Sequence, residues 1–271
     1  MRFARLLFAL GVLGACDSQF GDTPATIVVP QPEGKDARIR EIADPDSEMK
    51  VAHGTPVAVS GAVVVAVDAY DETKDGRSTG TIYIADLGSQ EPYSGISLFN
   101  PSFVPGNLRV GAGDTLDLRG TYQENTEVPL KFADGTALVQ IASPIAYFRY
   151  EANTPPPVEI DIEDLETYET GRKWLNMIVT VKNVTVRRDM TSDPASGRNS
   201  AGLLDDKPPP EGLERNACTP FPTAPQLVNE LMDLKPLEIT KDTKLKSLTG
   251  IVTFFCNLHI APRTPADIVK D

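Results

Sequence analysis

Residues 57–67, VAVSGAVVVAV, decide the fold class of this chain. Valines that recur at alternate positions are typical of a β-strand, because successive side chains of a strand point to opposite faces. Gly61 interrupts the run, and glycine readily takes the positive φ angles that a bulge or bend requires. The stretch therefore predicts a long first strand that bends near its middle.

A second copy of this pattern lies further along the chain. Residues 178–186, IVTVKNVTV, alternate in the same way around Asn183, and asparagine also tolerates positive φ. Later, GDTLDLRGT at 113–121 corresponds to DTKLKSLTGIV at 242–252, each reading as a turn followed by a half-buried strand. We therefore expect two diverged copies of one β-rich unit.

The first residues have the composition of a bacterial export signal. Arg2 and Arg5 precede an apolar run at 6–13, which is shorter than the roughly 20 residues that a membrane-spanning helix needs. The ending LGAC at 13–16 resembles the lipobox of bacterial lipoproteins. This resemblance implies a signal peptide over 1–15, cleavage before Cys16, and attachment of lipid, including fatty acids such as palmitate, to Cys16. An ordinary secretory signal followed by a chance cysteine is the alternative.

Composition predicts the domain boundaries of the exported part. Residues 16–37 are polar and rich in proline, which is typical of a flexible tether. Three consecutive prolines at 155–157 exclude a helix interior and favour an extended connector. We predict a first domain over 38–150 and a second over 151–271, with the prolines in the linker that enters the second.

The order of predicted elements favours an all-β protein of two tandem OB-like barrels, the small Greek-key barrels that bind ligands on a sheet face and its loops. Both copies begin with a long bent strand and end with closing strands. In the second copy, the spacing of Leu227, Leu231 and Leu234 predicts a short helix over 225–234.

Four segments carry a resemblance to a known family. They read IREIADP at 39–45, YSGISLF at 93–99, LTGIVTFF at 248–255 and IAPRTPADI at 260–268. These segments resemble the OB-type modules of surface lipoproteins from myxobacteria and related Deltaproteobacteria, and similar modules accompany extracellular nucleases. The resemblance implies an OB-type fold in both halves and supplies no catalytic residue.

Charge and cysteine content suggest partners and cross-links. The formal net charge is −12, and a negative surface repels phosphate backbones, so we expect no nucleic-acid partner.

After lipidation of Cys16, the remaining cysteines are Cys218 and Cys256. Because exported proteins meet an oxidising compartment, we predict a disulfide between them. A buried free thiol at Cys256 and an unpaired loop Cys218 are the alternative.

Few residues are candidates for chemistry. The chain has two histidines, of which His53 is expected in a loop and His259 on a strand whose other face is apolar. We expect that strand to present Phe255, Asn257 and His259 as a surface contact site, alongside Thr253. An alternative is that the exposed phenylalanine packs against the neighbouring domain.

No metal, cofactor or catalytic site is predicted. Asp68, Asp71, Glu72 and Asp75 offer oxygen ligands that suit calcium, but their spacing departs from the EF-hand loop and favours a solvated loop. The sequence also contains no zinc-protease HExxH, serine-hydrolase GxSxG or phosphate-binding glycine loop.

Two functions of different class are consistent with these observations. The favoured one is a non-enzymatic lipoprotein of the cell envelope, lipid-anchored to the inner or outer membrane, whose OB-like domains bind an envelope protein or glycan or act structurally. The alternative is an accessory domain pair of an extracellular nuclease or hydrolase system, or a weak hydrolase.

Overall fold

The computed structural model describes residues 35–68, 80–125, 138–192, 199–203, 225–255 and 257–271. These residues are mostly β-strand, with few and short helices, so the predicted all-β character is confirmed. In the first half the elements are β1 (Lys35–Asp36), α1 (Ile39–Ala43), β2 (Pro56–Val67), β3 (Ile82–Ala85), β4 (Gly95–Phe99), β5 (Ser102–Val104), β6 (Asp114–Asn125) and β7 (Leu138–Glu151).

The second half begins after the prolines at 155–157. Its strands are β8 (Val158–Glu159), β9 (Ile178–Thr185), β10 (Thr191–Ser192), β11 (Asn199–Leu203), β12 (Gln226–Val228), β13 (Lys244–Phe255), β14 (Asn257–Ala261) and β15 (Ile268–Lys270). Helical turns are the 3₁₀ segments Ile162–Leu165, Arg172–Trp174, Lys235–Leu237 and Pro265–Asp267, and the four-residue α2 (Tyr168–Gly171).

Strand pairing in the first half closes into a ring. The long β2 pairs antiparallel with β3 on one side and with β6 on the other. From β3 the ring continues antiparallel to β4, then parallel to β7, and β7 returns antiparallel to β6. A parallel pair inside an otherwise antiparallel ring requires a crossover, which is the Greek-key element of the topology.

Within the described residues, the second half repeats four of these five pairings. There, β11 pairs antiparallel with β12, and β12 pairs parallel with β14. Next, β14 pairs antiparallel with β13, and β13 with β9. A short parallel strand precedes the first long strand of each half, since β1 lies beside β2 and β8 beside β9. The internal repeat predicted from the valine runs is therefore present in the strand order.

The two predicted bend residues have the expected backbone conformation. Gly61 has a φ of +69°, and between Val59 and Ala62 the register of β2 with β6 shifts by one residue, which is a β-bulge. The Gly61 N–H donates to a carboxylate oxygen of Asp117 at 2.8 Å. Asn183 has a φ of 54°, although the register of β9 with β13 does not shift there.

Each half has its own apolar core. Fully buried members of the first core include Val57, Ile84 and Leu118, and those of the second include Val179, Leu248 and Ile260. A third apolar cluster, which we call the junction cluster, joins the halves and consists of Val63, Val65, Ala66, Tyr83, Ala85, Ile178 and Ile251. Both halves belong to one compact unit, Pro32–Asp271, so the division into two domains remains a prediction.

The predicted helix over 225–234 is wrong. Gln226–Val228 is the strand β12, and the helical turn of this region lies later, at Lys235–Leu237. Leu227 and Leu234 are fully buried in the second core, whereas Leu231 packs on the junction cluster. The spacing that suggested one helix face therefore arises from burial in two different cores.

No helix within the described residues is long and apolar enough to cross a membrane.

Candidate functional site

The predicted contact residues lie on a β-hairpin. The sequence suggested one continuous strand, but the chain reverses between β13 and β14, so that Phe255 lies opposite Asn257 and Thr253 opposite His259. Opposed residues of an antiparallel pair point to the same side. All four side chains therefore belong to one face, and the opposite face packs into the second core.

Only one of these side chains is well exposed. Phe255 has an exposed fraction of 41%, whereas Thr253, Asn257 and His259 are each below 10%. The Asn257 amide nitrogen has no hydrogen-bond acceptor within the described part of the chain. The structure thus places Phe255 at the surface and the predicted contact residues Asn257 and His259 beneath it.

A carboxylate connects this buried polar face with the first half. Thr253 donates its hydroxyl proton to Glu230 Oε2 at 2.5 Å, and Tyr83 donates to Oε1 of the same carboxylate at 3.3 Å. Gln226 is buried nearby, where β12 pairs with His259 of β14. Tyr83, Glu230 and Thr253, which we call the Glu230 bridge, were not predicted as a group, because Tyr83 lies 147 residues from Glu230.

The bridge lies beside the junction cluster and covers part of the first ring. Tyr83 and Ala85 of β3 are both buried, and they pack with Ile178 and Ile251 from the second half. OB barrels commonly bind ligands on the face formed by their second and third strands. In this chain, the outer face of β3 is occupied by the second half.

A second contact between the halves combines cations and aromatic rings. The Tyr93 N–H donates to the Lys173 carbonyl at 2.7 Å, and the Tyr93 hydroxyl accepts from Arg172 Nε at 3.2 Å. The Arg172 guanidinium lies 5.5 Å from the ring centre of Tyr168, and the Lys173 ammonium lies 5.1 Å from that of Trp174. Both distances are within the range of cation–π attraction. We call these five residues the cation–aromatic cluster.

The backbone of Tyr93 is in an unusual conformation. Its φ is 64°, in the left-handed region that bulky side chains rarely adopt. Such a conformation costs about 1–3 kcal/mol and persists only where surrounding contacts impose it. Here the two hydrogen bonds to Arg172 and Lys173 hold it in place.

Arg172 remains charged throughout the accessible pH range. Burial alone would lower its pKa, but hydrogen bonds and attraction from Tyr93 and Tyr168 raise the pKa above its ordinary value. None of these causes involves a carboxylate. Of the cluster, only the four-residue spacing of Tyr168 and Arg172 on a helical segment could have been recognised from the sequence.

The remaining predicted residues lie in other places or outside the described residues. His53 accepts a hydrogen bond from the Glu124 N–H through Nδ1 at 3.0 Å, so it is tied to β6. Asp68 is buried, and the other acidic-loop residues fall outside the described part. The lipidation residue Cys16 and the predicted disulfide partners Cys218 and Cys256 also lie outside it. Within the described residues, no group of three or more His, Cys, Asp or Glu is arranged to hold a metal.

Comparison with known proteins finds several similar solved structures, among them the following two. One is a deletion mutant of the single-stranded DNA binding protein from Thermus aquaticus, 12% identical, covering 82% of this chain and 96% of that one with a TM-score of 0.21. The other is the wild-type protein, 13% identical, covering 81% and 94% with a TM-score of 0.21. No family model and no curated protein matches the chain.

These comparisons correct one expectation. The exclusion of nucleic acid as a partner is contradicted, because the similar solved structures are DNA-binding proteins. The exclusion relied on net charge, which is an average over the chain and does not describe local surfaces such as that of Arg172 and Lys173. At TM-scores of 0.21, the likeness assigns neither a family nor a ligand to this chain.

Proposed function

We propose that this chain is a non-enzymatic binding protein of the bacterial cell envelope, held on a membrane by lipid on Cys16. Its binding part would consist of two tandem OB-like modules. The partner would be an envelope protein or a glycan.

The observation that carries the proposal is the repeated order of strand pairing. The series of paired strands β3–β4–β7–β6–β2 has its counterpart in β11–β12–β14–β13–β9, with the parallel pair at the second step of each. Small Greek-key barrels of this connectivity serve mainly as binding modules. The lipobox-like LGAC at 13–16 supports the envelope location.

The junction between the halves favours one rigid unit over two independent modules. The junction cluster, the Glu230 bridge and the cation–aromatic cluster join the halves through apolar contacts and hydrogen bonds. A rigid pair presents one composite surface to a partner, which reduces the entropy lost on binding.

The experiment compares binding with turnover. The full chain is incubated with envelope proteins, envelope polysaccharide and nucleic acid from a producing cell, and both retention and cleavage are measured. We expect retention of a component without shortening of any polymer. Cleavage by the purified chain would favour the hydrolase alternative, and absence of any retained component would contradict the binding role.

A further inference from the structure

The cation–aromatic cluster has the composition of a small ligand site. Tyr93, Tyr168, Arg172, Lys173 and Trp174 are all half-buried, so part of each side chain reaches the surface. They come from the turn before β4 and from the helical segment 168–174, which lie in different halves. A ligand bound here would therefore contact both halves at once.

The geometry of the cluster is fixed before any ligand binds. Tyr93 is held by its backbone bond to Lys173 and by its side-chain bond to Arg172. The Arg172 side chain is further oriented by the Tyr168 ring. Side chains that are already ordered lose less entropy on binding, which is the usual advantage of a preorganised site.

Five cations of the described chain form ion pairs, unlike those of the cluster. Ion pairs join Arg40 with Glu91, Lys50 with Glu124, Arg149 with Asp117, Lys182 with Glu159 and Arg263 with Asp267. Within the described residues, Arg172 and Lys173 contact aromatic rings and have no carboxylate within ion-pairing distance. A guanidinium without a carboxylate partner is complementary to an acidic group.

The groups around the arginine indicate which kind of molecule would bear the acidic group. An arginine fork binds a carboxylate or a sulfate through paired hydrogen bonds. The Tyr93 and Tyr168 rings add apolar surface beside the guanidinium. A sugar ring that bears hydroxyls and one acidic substituent matches this combination.

We infer that the cation–aromatic cluster binds the acidic group of a saccharide, with Arg172 contacting the acid and the tyrosines contacting the ring. The choice of a saccharide rests on the proposed function, because a chain anchored outside the cytoplasm meets envelope polysaccharide. The acidic group is a carboxylate or a sulfate, and titration with one oligomer of each kind distinguishes them.

The test is calorimetric titration of the full chain with four probes. These are a galacturonic-acid oligomer, a sulfated galactose oligomer, a neutral galactose oligomer of the same length and an oligothymidylate. We expect saturable binding of at least one acidic oligomer and at least tenfold weaker binding of the neutral one. Arg172→Gln should weaken acidic-oligomer binding about tenfold or more, because a hydrogen bond to a charged group is lost.

Controls separate a binding defect from a folding defect. Arg149→Gln removes an exposed arginine of the first half and should leave the affinity unchanged. If Arg172→Gln does not fold, Arg172→Lys keeps the positive charge but not the paired hydrogen bonds, and it should weaken binding several-fold.

Three outcomes would overturn the inference: no binding of either acidic oligomer, equal binding by wild type and the folded cluster variants, or binding of oligothymidylate alone. Retention of an envelope component by Arg172→Gln at the wild-type level would also overturn it, while leaving the proposed function intact.

Discussion

The Tyr83 hydroxyl of the first half donates a hydrogen bond of 3.3 Å to Oε1 of Glu230 in the second half. Oε2 of the same carboxylate accepts from Thr253. Apolar contacts alone are non-directional, whereas hydrogen bonds require a defined geometry. Glu230 therefore helps to fix the orientation in which the two halves pack across the junction cluster.

Removal of the carboxylate should destabilise the chain. Glu230→Ala leaves two hydroxyl groups at the junction without their acceptor, and we expect the free energy of unfolding to fall by about 2–3 kcal/mol. Urea unfolding measures this change. Glu48→Ala, at an exposed position, is the matched control and should change the free energy by less than about 0.5 kcal/mol. Equal stability of the two variants would contradict the role of the bridge.

A close backbone approach between the halves gives a second prediction. A Cβ added to Gly95 of β4 would lie 2.5 Å from the Asn176 carbonyl oxygen, a contact that only a backbone shift can relieve. Gly95→Ala should therefore lower the free energy of unfolding by about 1–3 kcal/mol. The control is Gly106→Ala, whose added Cβ has no atom within 4 Å. A thermal midpoint of Gly95→Ala equal to that of the control would show that the halves do not approach so closely.

Asp86 predicts a pH dependence of stability. Its carboxylate accepts the N–H groups of Ile39 and Arg40 at 2.9 and 3.1 Å at the start of α1. Burial raises the pKa of Asp86 above the ordinary 3.8, despite these hydrogen bonds. In the unfolded chain Asp86 ionises at lower pH than in the folded chain, so its contribution to stability falls as the pH rises from about 4 through the raised pKa.

Asp86→Asn should remove this pH-dependent contribution to stability, because an amide does not titrate. Urea unfolding between pH 3 and pH 7 tests it. We expect the stability of wild type relative to Asp86→Asn to decrease with rising pH. A constant or increasing difference would contradict the direction of the pKa shift.

The predicted disulfide between Cys218 and Cys256 gives a fourth expectation. Mass spectrometry of non-reduced peptides should recover the two cysteines in one cross-linked species. Closing a loop of this length contributes on the order of 4 kcal/mol in the chain-entropy model. Reduction should therefore lower the unfolding midpoint, and recovery of two free thiols from the exported protein would refute the bond.

Local patterns in the sequence predicted much of the fold. The valine alternation of residues 57–67 and the bend at Gly61 specify β2, because both depend on neighbouring residues alone. The leucine spacing that predicted a helix was misleading at Leu227 and Leu231, because the two leucines pack against different clusters. Helical spacing cannot distinguish one helix face from separate tertiary contacts.

The candidate sites were less accessible to sequence reasoning. The alternation of polar and apolar residues keeps its phase across the turn between Phe255 and Asn257. A hairpin and a single continuous strand therefore give the same sequence pattern. Contacts between Tyr93 and Arg172, or between Tyr83 and Glu230, join residues distant in sequence and depend on how the halves pack. Such pairs become visible only in the folded chain.

The mass of the amino terminus tests the proposed lipid anchor on Cys16. The protein is extracted from bacterial membranes with detergent, and the amino-terminal peptide is analysed by mass spectrometry beside a Cys16→Ala variant. We predict a mature chain that begins at Cys16 and carries a diacylglyceryl group and an amide-linked fatty acid, and a variant that retains residues 1–15 without lipid. A wild-type chain with an unmodified Cys16, or one cleaved elsewhere, would contradict the account.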